Sequence, residues 1–335
     1  MFVLTLFSDM NCGPDNAATL RELADKKDLF IGGAVNPRVL KGDSMYASVL
    51  GREFNILTPE NAMKWKATHP ESDRYDFTDA DAMVSFAREH TMKVRGHTLV
   101  WHNGNPDWLK DGTFTPVEYE KLLKEHIATV AGHYKGKLLA WDVVNEGIRD
   151  KPPHTFRESF WYKALGPSYI DSAFFWTHQA DPNVKLFYND YGAEGMNGKS
   201  DAIYQLVKGM LDRKIPIHGV GLQMHISLND HPPLPEIAAN IKRLNDLGLD
   251  IHITELDIRL KEPVTPEQLE QQAQLYGKLL NIARQADNCP AFVLWGFTDK
   301  YSWVPHFFKG FGQALLFDKE YEKKPAYQAL IETLK

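Results

Sequence analysis

Two glutamates end two similar stretches of this chain. Residues 138–146, LLAWDVVNE, are almost continuously apolar before they break into Asn145 and Glu146. Residues 250–257, DIHITELD, form a β-branched run that delivers Glu255 and then Asp257. A segment apolar on both faces suits a parallel strand covered by helices, and barrel enzymes carry their chemistry at the C-terminal ends of such strands. A lone Glu at a strand end is most simply a cap or a partner for a nearby lysine. Two of them on matching strands suggest paired carboxyl groups across a cleft. One would be protonated to serve a leaving oxygen, and the other ionised to attack an anomeric carbon. That is glycoside hydrolysis, and it needs surroundings that push the two pKa values apart.

Other residues that are costly as core filling fall at equivalent places. Glu60, Asn61 and Lys64 follow one apolar run, and His97 and Trp101 lie in the next. Tyr188, Asn189, Asp190 and Tyr191 end another, Gln223 and His225 another, and Trp295 sits in the last, with Trp303 in the loop beyond. Taken singly, His97 reads as a satisfied core histidine, Trp295 as core and Lys64 as a solvated loop residue. Seven strands making the same choice at the same end point to one rim. Aromatic faces suit the C–H surfaces of sugars, and Asn, Gln, His and Lys suit their hydroxyls. No serine elbow, phosphate-cradling glycine loop or paired-histidine zinc motif competes.

The elements that must position these residues alternate eight times. Strands are predicted at 29–35, 55–60, 93–101, 138–146, 184–190, 218–225, 250–257 and 291–298. Helices are predicted at 44–54, 78–90, from 115, 159–181, 199–213, up to Gly248, from 265, and 324–334. Thr115 with Pro116 and Glu118, and Thr265 with Pro266 and Gln268, spell capping boxes. Thr78 and Asp81 are spaced to cap the first turn of their helix. Gly248 is a good left-handed terminator. Leu269, Ala273, Tyr276, Leu280 and Ala283 share one face of the helix from 265. Strands alternating with helices mean parallel βαβ units, and eight of them mean a closed α/β barrel, the (β/α)8 TIM barrel. No linker-like shift in composition appears, so the chain reads as a single domain over 1–335, with 1–28 as an N-terminal arm and leading helix.

The chain has 335 residues, 43% of them hydrophobic, enough to bury a large core as one barrel. A net charge of −6 and the absence of Lys/Arg-rich runs argue against nucleic acid and suit a neutral substrate. No stretch is long enough to span a bilayer. Cys12 and Cys289 match no metal or redox spacing; one bridge between arm and last strand is left open. The start lacks the basic region of a signal peptide, so the chain reads as a mature, truncated or cytoplasmic form. No cofactor or metal is expected, and the chain is expected to act as a monomer.

The segments LTPENAMKW (57–65), RGHTLVWH (95–102), WDVVNE (141–146), FYNDY (187–191), GVGLQMH (219–225), ITELDIR (253–259), LWGFTDKYSW (294–303), LLFD (315–318) and KPAY (324–327) resemble, in order, those of the glycoside hydrolase family 10 endo-β-1,4-xylanases. The resemblance covers nearly the whole chain from about residue 29. It implies Glu146 as acid/base and Glu255 as nucleophile of a retaining mechanism, acting on xylan and xylo-oligosaccharides. It implies that Asn145 holds the 2-hydroxyl of the sugar being cleaved. His225 and Asp257 would keep Glu255 oriented and ionised, with Gln223 beside it. Lys64, His97 and Trp295 would surround the reacting sugar, Glu60, Asn61 and Trp101 would extend the glycone side, and Tyr191 and Trp303 would lie toward the cleavage point and the aglycone edge.

Two departures stand out. Asn103 and Gly104 follow His102 where the family usually has Ser-Gln, and Gly192 follows the fifth-strand NDY where it commonly has Asn. Both remove side chains that could touch sugar, so Gln at position 104 is expected to strengthen binding of short oligosaccharides. A β-1,4-glucanase or mixed enzyme on the same barrel, and a barrel that binds polysaccharide without cutting it, are the rival readings. The substrate implies secretion or a periplasmic location, while an enzyme of imported oligosaccharides would be cytoplasmic.

Overall fold

The computed structural model describes residues 18–335. Eight strands run parallel in chain order: β1 (Phe30–Val35), β2 (Ile56–Pro59), β3 (Lys93–Trp101), β4 (Ala140–Asn145), β5 (Lys185–Asp190), β6 (Gly219–Leu222), β7 (Asp250–Lys261) and β8 (Ala291–Leu294). Each pairs with its neighbour. Ala291 pairs both with Phe30 of β1 and with His252 of β7, which closes the sheet on itself. This is the (β/α)8 barrel the alternation predicted. The strands are almost wholly buried because helices cover their outer faces and side chains fill the interior. Gly96 shows how tight that filling is, since a Cβ there would meet the Trp141 ring at 2.3 Å.

Three interruptions of the ladder matter for function. The pairing register shifts between His97 and Val100, between Asp142 and Val144, and between Ile253 and Leu256. An irregularity of this kind re-aims the residues beyond it. These three lie just before, or at, His97, Glu146 and Glu255. The barrel floor under them is polar: Arg95, fully buried, donates to both carboxylate oxygens of Asp142 at 2.9 and 2.6 Å and to His252 Nδ1 at 3.1 Å.

Several expectations are corrected locally. The helix expected over 159–181 is two, Phe160–Leu165 and Ser168–Ala180, because Gly166 turns left-handed (φ 66°) and Pro167 follows. Thr78 and Asp81 do not cap their helix. The chain enters it through Phe77, and the Asp76 carboxylate accepts from the Thr78 amide at 3.0 Å. The sixth strand does not run to His225: it ends at Leu222, Met224 takes φ 66°, and the separate short strand His225–Ser227 pairs with the outer part of β7. The capping boxes at Thr115 and Thr265 form as read. A third, at Thr19, opens the leading helix Leu20–Asp25. Cys289 is buried, and the Cys12 half of the bridge left open lies outside the described residues.

Candidate active site

Glu255 lies inside β7 at the register irregularity between Ile253 and Leu256, and its amide donates to Gln223 O at 3.1 Å. Its carboxylate receives Asn189 Nδ2–H on Oε1 at 2.7 Å and His225 Nε2–H on Oε2 at 3.1 Å. The other edge of the His225 ring donates from Nδ1 to Asp257 Oδ2 at 2.8 Å, and Trp303 Nε1–H donates to that same oxygen at 2.8 Å. Burial disfavours charge on His225, but the charge and hydrogen bond of Asp257, with Glu255 behind them, raise its pKa to about 10. The ring is therefore an imidazolium at neutral pH. Burial likewise pushes the Glu255 carboxyl up, yet the His225 hydrogen bond and the nearby His97 and His225 charges hold it below its ordinary value. A buried carboxylate kept ionised in this way is equipped for nucleophilic attack.

Glu146 stands one residue past β4, with φ 56°. A non-glycine residue in that region costs about 1–3 kcal/mol and persists only where its surroundings hold it. Its amide donates to Asn189 O at 2.8 Å. Its side chain accepts from two neutral amides, Asn145 Nδ2 and Gln223 Nε2, each at 3.2 Å on Oε1. His102 Nδ1 lies 3.7 Å from Oε2. Burial, with the Arg157 charge next, lowers the His102 pKa to about 4, so that ring is neutral near neutral pH. Asn145 Oδ1 in turn accepts from Asn189 at 2.9 Å and Gln223 at 3.1 Å. Asn189 therefore touches Glu255 directly and reaches the Glu146 side of the site through one amide.

The remaining predicted residues gather round this pair. His97 Nδ1–H donates to Asp142 at 3.0 Å, and its ring meets the edge of Trp295 with centroids 5.3 Å apart. Lys64 Nζ donates to Asn61 Oδ1 at 2.9 Å and lies 4.7 Å from the Trp101 ring and 5.7 Å from that of Trp295. Burial lowers the Lys64 pKa against the opposing pull of Glu255, Glu60 and Glu146. Glu60 shares a pocket with Trp295, Trp303, Asn36, Tyr46 and Tyr301. The Tyr191 ring lies under Lys199 Nζ at 3.9 Å, beside Asp150.

Asn189 falls at the end of β5, where sequence alone assigns it no role. Asp142 reads as part of an apolar strand, and sequence alone gives no site role to it or to His102, Arg157 and Glu194. Glu194 is buried and accepts the Gly192 and Met224 amides at 3.0 and 3.1 Å, holding the bend that aims Gln223 and His225 inward. Only the polar character of these residues beside apolar runs could have flagged them. The expected gain from Gln at position 104 is corrected. Gly104 sits at φ 67°, and an added Cβ would lie 3.3 Å from Trp101 and 3.4 Å from Lys64, so a side chain there strains the backbone. Gly192 has the same φ of 67°. Among the described residues, no group of three His, Cys, Asp or Glu side chains is placed to hold a metal ion, and no helix is long and apolar enough to cross a membrane.

Residues 19–333 match the family model for glycosyl hydrolase family 10. The chain is 43% identical over 320 residues to endo-1,4-beta-xylanase B of Thermotoga neapolitana, covering 94% of this chain and 91% of that protein. It superimposes on the structure of xylanase 10B from Thermotoga petrophila RKU-1 in complex with xylobiose at a TM-score of 0.93, with 46% identity, 96% of this chain and 98% of that one. Native xylanase 10B from Thermotoga maritima gives a TM-score of 0.91 at 46% identity, over 94% and 98% of the two chains.

Proposed function

Since this chain belongs to glycosyl hydrolase family 10, we infer that it is a retaining endo-β-1,4-xylanase that hydrolyses internal bonds of xylan by double displacement. The observation that carries the division of labour is the contrast in hydrogen-bond partners. Glu255 accepts from an imidazolium, whereas among the described residues Glu146 accepts only from neutral amides.

Glu255 attacks the anomeric carbon while Glu146 passes its proton to the departing glycosidic oxygen. The sugar is left as an ester on Glu255 with its configuration inverted. Glu146, now a carboxylate, takes a proton from the water that attacks the same carbon, and the second inversion restores the β configuration. Asn145 holds the 2-hydroxyl of the reacting sugar in this reading, which the bonds of Asn189 and Gln223 to its Oδ1 support by orienting it. Lys64, His97 and Trp295 enclose that sugar, and Glu60, Asn61 and Trp101 continue the cleft on the glycone side.

Reducing ends released from xylan and from a soluble β-glucan test the reading together. Rapid release from xylan with little from the glucan is expected. Equal rates would promote the glucanase alternative, and no release from either would leave a binding protein.

A further inference from the structure

We propose that Arg157 is a positioning residue for the general acid, a clamp that keeps Glu146 in its left-handed conformation and so keeps its proton on the leaving oxygen. The inference rests on the reading of Glu146 as acid/base. Three consecutive carbonyls follow β4, and one residue satisfies all of them. Arg157 Nε–H donates to Glu146 O at 2.8 Å, its backbone amide donates to Gly147 O at 2.7 Å, and Nη2–H donates to Ile148 O at 3.1 Å. On the other side the Glu146 amide donates to Asn189 O, and the Ile148 amide donates to the Tyr188 hydroxyl oxygen at 3.0 Å. The turn that carries the acid is thus pinned at both ends, with Glu146, its first residue, at φ 56°.

The clamp is itself anchored. Asp150 receives Arg157 Nη2–H at 2.9 Å and Nη1–H at 3.3 Å, and it receives Lys199 Nζ at 2.9 Å. Lys199, nearly buried, also pairs with Asp190 Oδ1 at 2.8 Å, at the end of β5. The chain of contacts runs from the Glu146 backbone through Arg157, Asp150 and Lys199 back to the strand that supplies Asn189. None of these groups touches the acid's carboxyl directly. Loss of Arg157 should therefore move the acid without removing it, and the nucleophile on β7 should be unaffected.

A purely structural arginine would damage all substrates alike, whereas a positioning residue for the acid should damage those that need protonation. The test measures kcat/KM for 2,4-dinitrophenyl and phenyl β-xylobiosides on wild type, Arg157→Met, Arg157→Lys, Asp150→Asn and Glu146→Ala. Arg157→Met should lose about 10–100-fold on the phenyl glycoside, part of the ~10²–10⁴-fold that acid catalysis supplies, and less than about threefold on the dinitrophenyl one. Arg157→Lys should fall between it and wild type, and Asp150→Asn should show the same selectivity more weakly. Equal losses on both substrates in the Arg157 variants, beside a selective Glu146→Ala, would overturn the proposal and leave the acid assignment standing. Equal losses in Glu146→Ala would overturn the acid assignment itself, and the proposal with it. Should Arg157→Met fail to fold, the Arg157→Lys and Asp150→Asn ratios decide by the same criterion.

Discussion

Glu255 sits within a twelve-residue strand with its carboxylate between an imidazolium and an amide, while Glu146 sits just beyond a six-residue strand, on a left-handed residue, among neutral donors. Glu255 is carried within the strand and held through its amide by Gln223 O, and the His225 charge keeps it ionised. Glu146 is held through its backbone by neighbours on other elements, and no cation among the described residues donates to its carboxyl. The difference teaches how one rim can run two opposite jobs. The nucleophile needs a constant charge, and the acid/base must change charge twice in each cycle without its surroundings opposing either form.

The largest expected effect comes from removing either carboxyl group. Glu255→Ala should lose at least about 10⁴-fold in kcat on every glycoside, comparable to removing a nucleophile elsewhere. Glu146→Ala should lose about 10²–10⁴-fold on xylan but far less on a dinitrophenyl xylobioside, whose leaving group needs no proton. Steady-state kinetics on both substrates would break the comparison if the two variants behaved alike.

His225→Gln sharpens it next, by removing the charge that separates the two environments. A hydrogen bond to a charged group contributes about 1.5–3 kcal/mol, so the acid limb of kcat/KM should move up by about 1–2 pH units. The loss is then greatest under acid conditions and smallest near neutrality. Stability follows the same linkage. The depressed Glu255 pKa stabilises the fold above the unfolded carboxylate value and is lost as pH falls through the folded one. The raised His225 pKa acts oppositely, with its contribution complete below the unfolded value of 6.5 and lost as pH rises through about 10. Denaturant titrations should show a smaller alkaline decline in His225→Gln than in wild type.

How much of this was legible in the sequence depended on range. The eight strands could be read because parallel strands buried on both faces announce themselves as apolar runs, and the boxes at Thr115 and Thr265 because a cap is written within four residues. The two glutamates stood out because the same pattern occurred twice. What could not be read was which residues on different strands meet. Asn189 touches Glu255 across 66 positions, Arg95 reaches His252 across 157, and the strand break at Met224 is enforced by Glu194, thirty residues away. The left-handed state of Gly104 was also invisible, since a glycine only permits that conformation and the fold selects it.

Trp303 gives a smaller effect that couples the two regions to specificity. Xylose lacks the hydroxymethyl group of glucose, and a hydrophobic wall discriminates such a group by about 1–3 kcal/mol, or 10–200-fold. Aryl β-xylobiosides should be preferred to cellobiosides within that range. Trp303→Ala should narrow the preference and also lower kcat/KM on both, because the indole N–H supports Asp257 behind His225. Trp303→Phe should keep the preference and show only the second effect. Trp295→Ala should mainly lower kcat on both. A Trp303→Ala variant with unchanged preference would remove the tryptophan from specificity.

The smallest effect belongs to Gly104→Gln. A left-handed non-glycine residue costs about 1–2 kcal/mol, so chemical denaturation should register that loss while KM on short xylo-oligosaccharides fails to fall. A lower KM with unchanged stability would show that the loop accommodates the side chain after all.

The double displacement through an ester is tested most directly by the anomer formed first. Proton NMR recorded within the first turnovers, before mutarotation, should show the β-anomer of the newly released reducing sugar. An α-anomer at early times would mean a single displacement by water, with no ester on Glu255, and would contradict the account at its centre.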